Sequence, residues 1–199
     1  MTVEFFLEEP SAEAFLQAFV AKLLPADTEV VFRVFRGKPD LLKKLPDRLR
    51  AMYWIPADHR VVVLVDEDRE DCKVLKAQLE AAANAAGMLT KSAAQGRSFK
   101  VLNRIAVEEL EAWFLGDPKA IQAAYPRFRP NHARRNDLQR PDGCTGGTWE
   151  ALERALQKGG YYSTGLPKIE VARNMAEHMV VKRNTSPSFM QFVQGIAAL

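Results

Sequence analysis

The sequence predicts an α/β fold, a doubly wound and mostly parallel four-stranded sheet with additional C-terminal helices. Three observations carry that expectation. Apolar runs such as Phe5-Phe6-Leu7 and Val61-Val62-Val63-Leu64-Val65 lack polar alternation and read as strands buried on both faces. Stretches with helical spacing separate these runs, and strand–helix alternation favours a doubly wound sheet. Beyond Gly116 the strand signal stops and helical stretches follow.

Taken in order, residues 3–8 form the first strand. Ser11 is placed to cap the next helix, with Glu13 in its first turn, where an anion suits the helix dipole. Leu16, Phe19, Val20, Leu23 and Leu24 keep helical spacing up to Pro25. Residues 29–36 form the second strand, which Gly37-Lys38-Pro39-Asp40 ends. A helix interrupted near Pro46 then carries Leu41, Leu42, Leu45, Leu49, Met52 and Trp54. Residues 60–66 are the third strand, 70–86 an Ala-rich helix ending at Gly87, and 98–107 the fourth strand. A helix from Glu108 to Leu115 follows, with Trp113, Phe114 and Leu115 in the core. The rest reads as a short helix at 118–124, a basic loop at 126–147, a helix near 148–158, and helices at 167–180 and 186–198. The expected organisation is an α/β core over 1–116 and a helical extension over 117–199, packed on the core or merged with it into one domain.

Composition narrows the function classes. The chain has 199 residues, 47% of them hydrophobic and 27% charged, enough for a real core and against long disorder. Net charge is +3 and the isoelectric point about 8.9, which does not by itself establish a nucleic-acid partner. Arg127, Arg129, Arg134, Arg135 and Arg140 share one stretch opposed only by Asp137. That stretch either tracks a phosphate backbone or is a solvated loop. Met-Thr-Val-Glu-Phe-Phe lacks the basic start of a secretory signal, and no apolar run nears the roughly 20 residues that span a bilayer. Cys72 and Cys144 show no metal spacing, so a reduced, cytoplasmic setting is expected, with Cys72 as a small buried side chain. His59, His132 and His178 share no spacing that suggests zinc, and Gly37-Lys38 lacks the context of a P-loop.

The chemistry concentrates at strand ends. Glu8 follows the first strand, and Asp66 and Asp68 end the third. In a parallel sheet the C-terminal edge is where ligands and catalytic groups gather. Carboxylates brought together there repel unless a hard cation lies between them, and Mg²⁺ prefers all-oxygen sites. The bland alternative is a set of solvated loop acids capping the next helix. Glu108, Glu109 and Glu111 open a helix at the same edge, either as a third acidic arm or as dipole-favoured first-turn acids.

Phe6-Leu7-Glu8-Glu9-Pro10-Ser11 and Val63-Leu64-Val65-Asp66-Glu67-Asp68 resemble the Glu and DxD motifs of TOPRIM domains, and the strand–helix order is similar. Glu9 stands where that motif usually has Gly. The resemblance implies a Mg²⁺- or Mn²⁺-dependent nuclease acting on nucleic acid. Glu8, Asp66 and Asp68 would be metal-holding and catalytic, with Glu109 and Glu111 as further ligands. Lys168, after Gly165-Leu166-Pro167, is similar in position to a lysine of the overcoming-lysogenization-defect type, where it would neutralise charge on a phosphoryl group. Its bland reading is a surface lysine. Lys38, Arg134, Arg135, Arg183, Asn184 and Ser186 are candidate phosphate contacts, although Asn184 and Ser186 suit the capping of the last helix equally well.

Over nearly the whole chain, Gly37-Lys38-x-Asp40-Leu41, Asp66-x-Asp68-x-x-Asp71-Cys72, Glu108-Glu109-Leu110-Glu111-Ala112-Trp113 and Arg183-Asn184-x-Ser186-x-Ser188-Phe189 resemble the bacterial domain-of-unknown-function family number 4276. That likeness implies an anti-phage setting beside an ATPase partner protein. The rival expectation is a non-catalytic TOPRIM-like binding or scaffold subunit of such an ATPase complex.

Overall fold

The computed structural model describes residues 1–199. Strands β1 (Thr2–Leu7), β2 (Glu29–Val34), β3 (His59–Asp66) and β4 (Val101–Ala106) form one sheet in the order β2-β1-β3-β4, with every neighbouring pair parallel. The central pair sets Phe5 opposite Val62, Phe6 opposite Val63 and Leu7 opposite Leu64.

Side chains alternate across a strand, and both faces of this sheet are covered. On one face Phe6, Val61, Val63 and Val65 pack with Leu41, Leu45 and Leu49 of α2 (Lys38–Ala51) and Leu75, Leu79 and Ala83 of α3 (Cys72–Ala85). On the other, Val3, Phe5, Leu7, Val62 and Leu64 meet α1 (Pro10–Phe19) and the helical second half. That half comprises α4 (Glu111–Leu115), α5 (Pro118–Ala124), α6 (Arg135–Gln139), α7 (Thr148–Lys158), α8 (Lys168–His178) and α9 (Pro187–Ile196). A single cluster of 38 buried residues runs from Val3 to Ile196, so residues 117–199 share their core with the sheet. Trp113 stands at its centre, with ring centroids 5.9 Å from Phe15, 5.4 Å from Phe189 and 5.0 Å from Phe192. Its indole N–H donates to Ser188 Oγ at 2.9 Å. No helix is long and apolar enough to cross a membrane.

Several expectations need correction. Ser11 does not cap α1: the cap position is Glu9, Pro10 opens the helix, and the Ser11 hydroxyl donates to Glu9 Oε2 at 3.1 Å. Pro46 does not interrupt α2, which continues to Ala51. Burial of Leu41, Leu45 and Leu49, each contributing about 1.5–3 kcal/mol, outweighs the single hydrogen bond that the ring removes. Trp54 lies beyond α2 and is 70% exposed. The second and fourth strands are shorter than expected, ending at Val34 and beginning at Val101. The helix expected from Glu108 starts at Glu111, because Glu108 adopts φ +62°. The basic loop carries α6 and two 3-10 turns. Cys72 is partly exposed at the first turn of α3, which Asp71 caps through the N–H groups of Lys73 and Val74.

If the sheet and the helical half are one cooperative unit, Trp113→Ala should lower the unfolding free energy by about 3–5 kcal/mol. Denaturant unfolding followed by far-ultraviolet circular dichroism should then show one transition shifted as a whole. Two separate transitions would contradict the shared core.

Candidate functional site

Parallel register brings the acidic strand ends together. β1 and β3 run side by side to Leu7 and Leu64, so Glu8 emerges next to the last turn of β3. The backbone N–H of Asp66 donates to Glu8 Oε2 at 3.3 Å across 58 positions of sequence. Both side chains are withdrawn from water, Glu8 at 5% exposure and Asp66 at 8%. Burial pushes the Glu8 carboxyl up to about 7; Asp68 and Glu9 add to that, while Lys38 and the Asp66 N–H pull against it. Burial raises Asp66 well above the usual carboxylate range, reinforced by the charges of Glu8 and Glu111.

Glu111 is the third buried acid. It opens α4, is 2% exposed, and its Oε2 is sealed from solvent without a hydrogen-bond partner. Burial raises it to about 7 against the pull of Lys168. Lys168, first residue of α8, reaches back over the same acids. Its Nζ stands 3.8 Å from Glu9 Oε2 and 4.9 Å from the centre of the Trp149 ring. Burial alone would lower its pKa, but the charges of Glu111, Glu9, Glu109 and Asp66 outweigh that and leave it raised. Lys168 is therefore a charged, half-buried counter-ion of the acidic edge.

Asp68 and Glu109 are held differently. Asp68 sits at φ +55°, and its Oδ2 lies 2.7 Å from the ammonium of Lys38. That ammonium also takes Glu67 O at 2.9 Å and Glu70 Oε1 at 3.2 Å, with the side chain 6% exposed. Gly37, at φ +82°, turns the chain so that Lys38 can open α2 against this loop. Lys38, expected as a phosphate contact, thus neutralises the loop after β3. Glu109 Oε2 accepts from Thr148 Oγ1 at 3.0 Å and Trp149 N–H at 2.9 Å, satisfying the start of α7.

The remaining candidates lie elsewhere. Arg183 pairs with Asp117 at 3.0 Å and donates to His178 O at 2.9 Å. The buried Asn184 amide donates to Trp113 O at 2.7 Å, while its carbonyl accepts the Ser186 N–H at 2.8 Å. Ser186 caps α9 by accepting the Phe189 N–H and donates to Asp142 Oδ1 at 2.5 Å. These three tie the C-terminal helix to α4 and α5, and the capping alternative describes Ser186, whereas Asn184 holds the cap residue to the Trp113 carbonyl. Arg134 and Arg135 are exposed at the start of α6.

Two contributors were not singled out from the sequence. Glu67 bridges the loops after β3 and β4, accepting from Cys72 N–H and Glu108 N–H at 3.1 Å each. Trp149 lies under Lys168 with its Nε1 buried and unpartnered. Glu67 is the variable residue between Asp66 and Asp68, and only the fold brings Trp149 beside Lys168.

In this arrangement no three His, Cys, Asp or Glu side chains stand close enough together to hold a metal ion. The donor set nevertheless suits a hard divalent cation. It is all oxygen, the charges of Glu8 and Glu111 raise the Asp66 pKa, and one oxygen of Glu111 is orphaned in the interior. Bringing Asp68 into that set requires its release from Lys38.

A family model described as a domain of unknown function, DUF4276, matches residues 7–197. The chain belongs to the DUF4276 family. The matched segment starts at Leu7, immediately before Glu8, and contains every residue of the acidic edge. No curated protein and no solved structure matches this DUF4276 chain.

The pH dependence of stability follows from Glu8 and Glu111. Both are raised from 4.5 to about 7 in the fold, so the unfolded chain loses its protons at lower pH than the native one. Their contribution is complete below about pH 4.5 and is lost as pH rises through about 7, on the order of 3 kcal/mol for each taken alone. In chelator, the melting temperature should therefore fall between pH 5 and pH 8, and Glu111→Gln should flatten that fall. A melting temperature that rises through this window would contradict the assignment.

Proposed function

We propose that this DUF4276 protein is a Mg²⁺- or Mn²⁺-dependent, TOPRIM-type nuclease that cleaves phosphodiester bonds. The observation that carries the reading is the juxtaposition of buried Glu8 and Asp66 at the C-terminal edge of a parallel sheet, faced by Glu111 and Lys168. Burying acids this close without a cation is costly, and sites that tolerate such repulsion are enriched in function.

In this reading Glu8 and Asp66 hold the cation, and Asp68 and Glu111 complete its oxygen shell, with Glu109 beside them. When bound, the cation supplies charge neutralisation and an activated water. Lys168 offers its ammonium to the charge that develops on the phosphoryl oxygens, a role its raised pKa suits because it stays protonated at neutral pH. Lys38 holds Asp68 and the loop after β3 in place and turns to substrate phosphate when Asp68 moves. Arg134 and Arg135 lie free in the basic segment to track a nucleic-acid backbone. An anti-phage role with an ATPase partner protein belongs to the same reading and is carried by the family resemblance.

A specific observation favours a second reading, a non-catalytic scaffold subunit of an ATPase complex. Lys38 already balances Asp68, and no three acids converge. Glu9 adds a further carboxylate at the end of β1, close to Lys168.

Two measurements separate the readings. Mn²⁺-dependent cleavage of single- and double-stranded DNA and RNA should be present in the native chain. It should fall to background in Glu8→Gln and Asp66→Asn, both judged folded by their melting curves. Cleavage that survives both changes would sink the nuclease reading. Thermal-shift titration with Mg²⁺, Mn²⁺ and Ca²⁺ should show stabilisation that disappears in Asp66→Asn. Absence of any shift at millimolar metal favours the scaffold.

A further inference from the structure

The two edges of the sheet are treated unequally. At the start of β4 the chain covers its own edge: Thr90 bridges Val101, the Lys91 N–H donates to Val101 O at 2.9 Å, and the Lys100 N–H donates to Leu89 O at 2.8 Å. Arg104 of β4 also donates to Gln191 O of α9 at 2.8 Å. Beyond β2 no strand pairs. Natural edge strands are commonly blunted by charged side chains, above all Lys, by Pro or by a bulge, and the charges of β2, Glu29 and Arg33, are of opposite sign. β2, Glu29-Val30-Val31-Phe32-Arg33-Val34, has no Lys, Pro or Gly.

The groups left open can be named. The Glu29 N–H donates to Met1 O at 3.0 Å and the Phe35 N–H to Leu7 O at 2.8 Å. In a parallel ladder, each residue turns its N–H and C=O to one side, and the sides alternate along the strand. Glu29, Val31 and Arg33 therefore face β1, while Val30, Phe32 and Val34 present their backbone groups to the open side.

We propose that β2 is the interface through which two copies of this chain join, antiparallel about a twofold axis at Val31, merging their sheets into one. Charge selects this register. With Val31 opposite the partner's Val31, Val30 and Phe32 form mutual hydrogen-bonded pairs, giving about four new backbone hydrogen bonds. The same register sets Glu29 of each copy opposite the partner's Arg33, in the close non-hydrogen-bonded positions where opposite charges stabilise a pair. Each of these side chains has spare capacity. Glu29 accepts Thr2 Oγ1 on one oxygen only, and Arg33 meets Glu4 through Nε at 2.8 Å, leaving its terminal nitrogens unbonded. A slip by one pair would set Arg33 against Val31 and Glu29 against Phe35, and both ion pairs would be lost.

The side-chain surface agrees. Glu29, Val31 and Arg33 line a groove of about 800 Å³ whose far wall includes Met52 and Trp54. Trp54 is 70% exposed and the neighbouring Tyr53 84%. A twofold axis at Val31 lays two such grooves side by side on one face of the joined sheet. This surface, apolar at Val31, Met52 and Trp54 and charged at Asp40 and Lys44, then borders the interface.

Sedimentation velocity over a range of concentrations tests the proposal. The native chain should show a reversible dimer. Glu29→Arg sets like charges opposite each other twice and should raise the dimer Kd roughly tenfold or more. Val30→Pro removes an outward N–H that the monomer does not use, and should do the same with the melting curve of a folded protein. Mixing Glu29→Arg with Arg33→Glu restores opposite charges at both pairs and should yield a heterodimer that neither variant forms alone. A native chain that stays monomeric throughout overturns the proposal. So does a dimer indifferent to Glu29→Arg or to Val30→Pro.

Discussion

The register between β1 and β3 is the constraint on which the site depends. Phe5, Phe6 and Leu7 sit opposite Val62, Val63 and Leu64, and these residues are buried on both faces of the sheet. A slip by one residue would exchange the faces of a whole strand and expose its apolar side chains. The core therefore locks the pairing, and the pairing leaves Glu8 within hydrogen-bond reach of the Asp66 N–H. Hydrophobic burial of several side chains at about 1.5–3 kcal/mol each easily exceeds the cost of holding two acids in low dielectric. The unfavourable electrostatics of the acidic edge are borne by the sheet beneath it.

The helical half completes the site from the other side. α4 follows β4 and brings Glu111 in its first turn, while α8 packs on α1 and brings Lys168. Trp113 sits two residues after Glu111 and is enclosed by Phe15, Phe189 and Phe192. Packing of this one aromatic fixes the start of α4, and with it the third acid. The Asn184 amide and the Ser186 cap, which hold the last helix to the Trp113 carbonyl and to Asp142, belong to the same support.

The sheet was legible in the sequence because doubly buried strands read as unbroken apolar runs, and Glu8, Asp66 and Asp68 were legible because they end those runs. What escaped depends on tertiary context. Pro46 looked like a break because local propensity disfavours it, yet three buried leucines carry α2 past it. Lys38 and Asn184 looked like phosphate contacts because their residue types suit that role. Their partners, Asp68 across 30 positions and Trp113 across 71, are set by the fold and leave no local trace. Glu109 and Glu111 are two residues apart, and the family resemblance implies both as further ligands. The turn at Glu108 sends one to the start of α7 and the other into the interior.

Lys38 and Lys168 divide the acidic edge into two electrostatic halves. Lys38 touches Asp68, Glu70 and the Glu67 carbonyl directly, so that half is balanced by close ion pairs. Lys168 comes no nearer than 3.8 Å to Glu9 and acts on Glu111 and Asp66 only through its field. Burial therefore keeps the pKa values of Glu8, Asp66 and Glu111 raised, and Glu8 and Glu111, at about 7, retain a proton at neutral pH in a substantial fraction of molecules. A chain selected only for stability would close the gap with a nearer lysine or replace the acids with apolar residues, a change that is often neutral or stabilising. Keeping three under-compensated carboxylates at the C-terminal edge of the sheet is the arrangement expected when a cation supplies the missing balance.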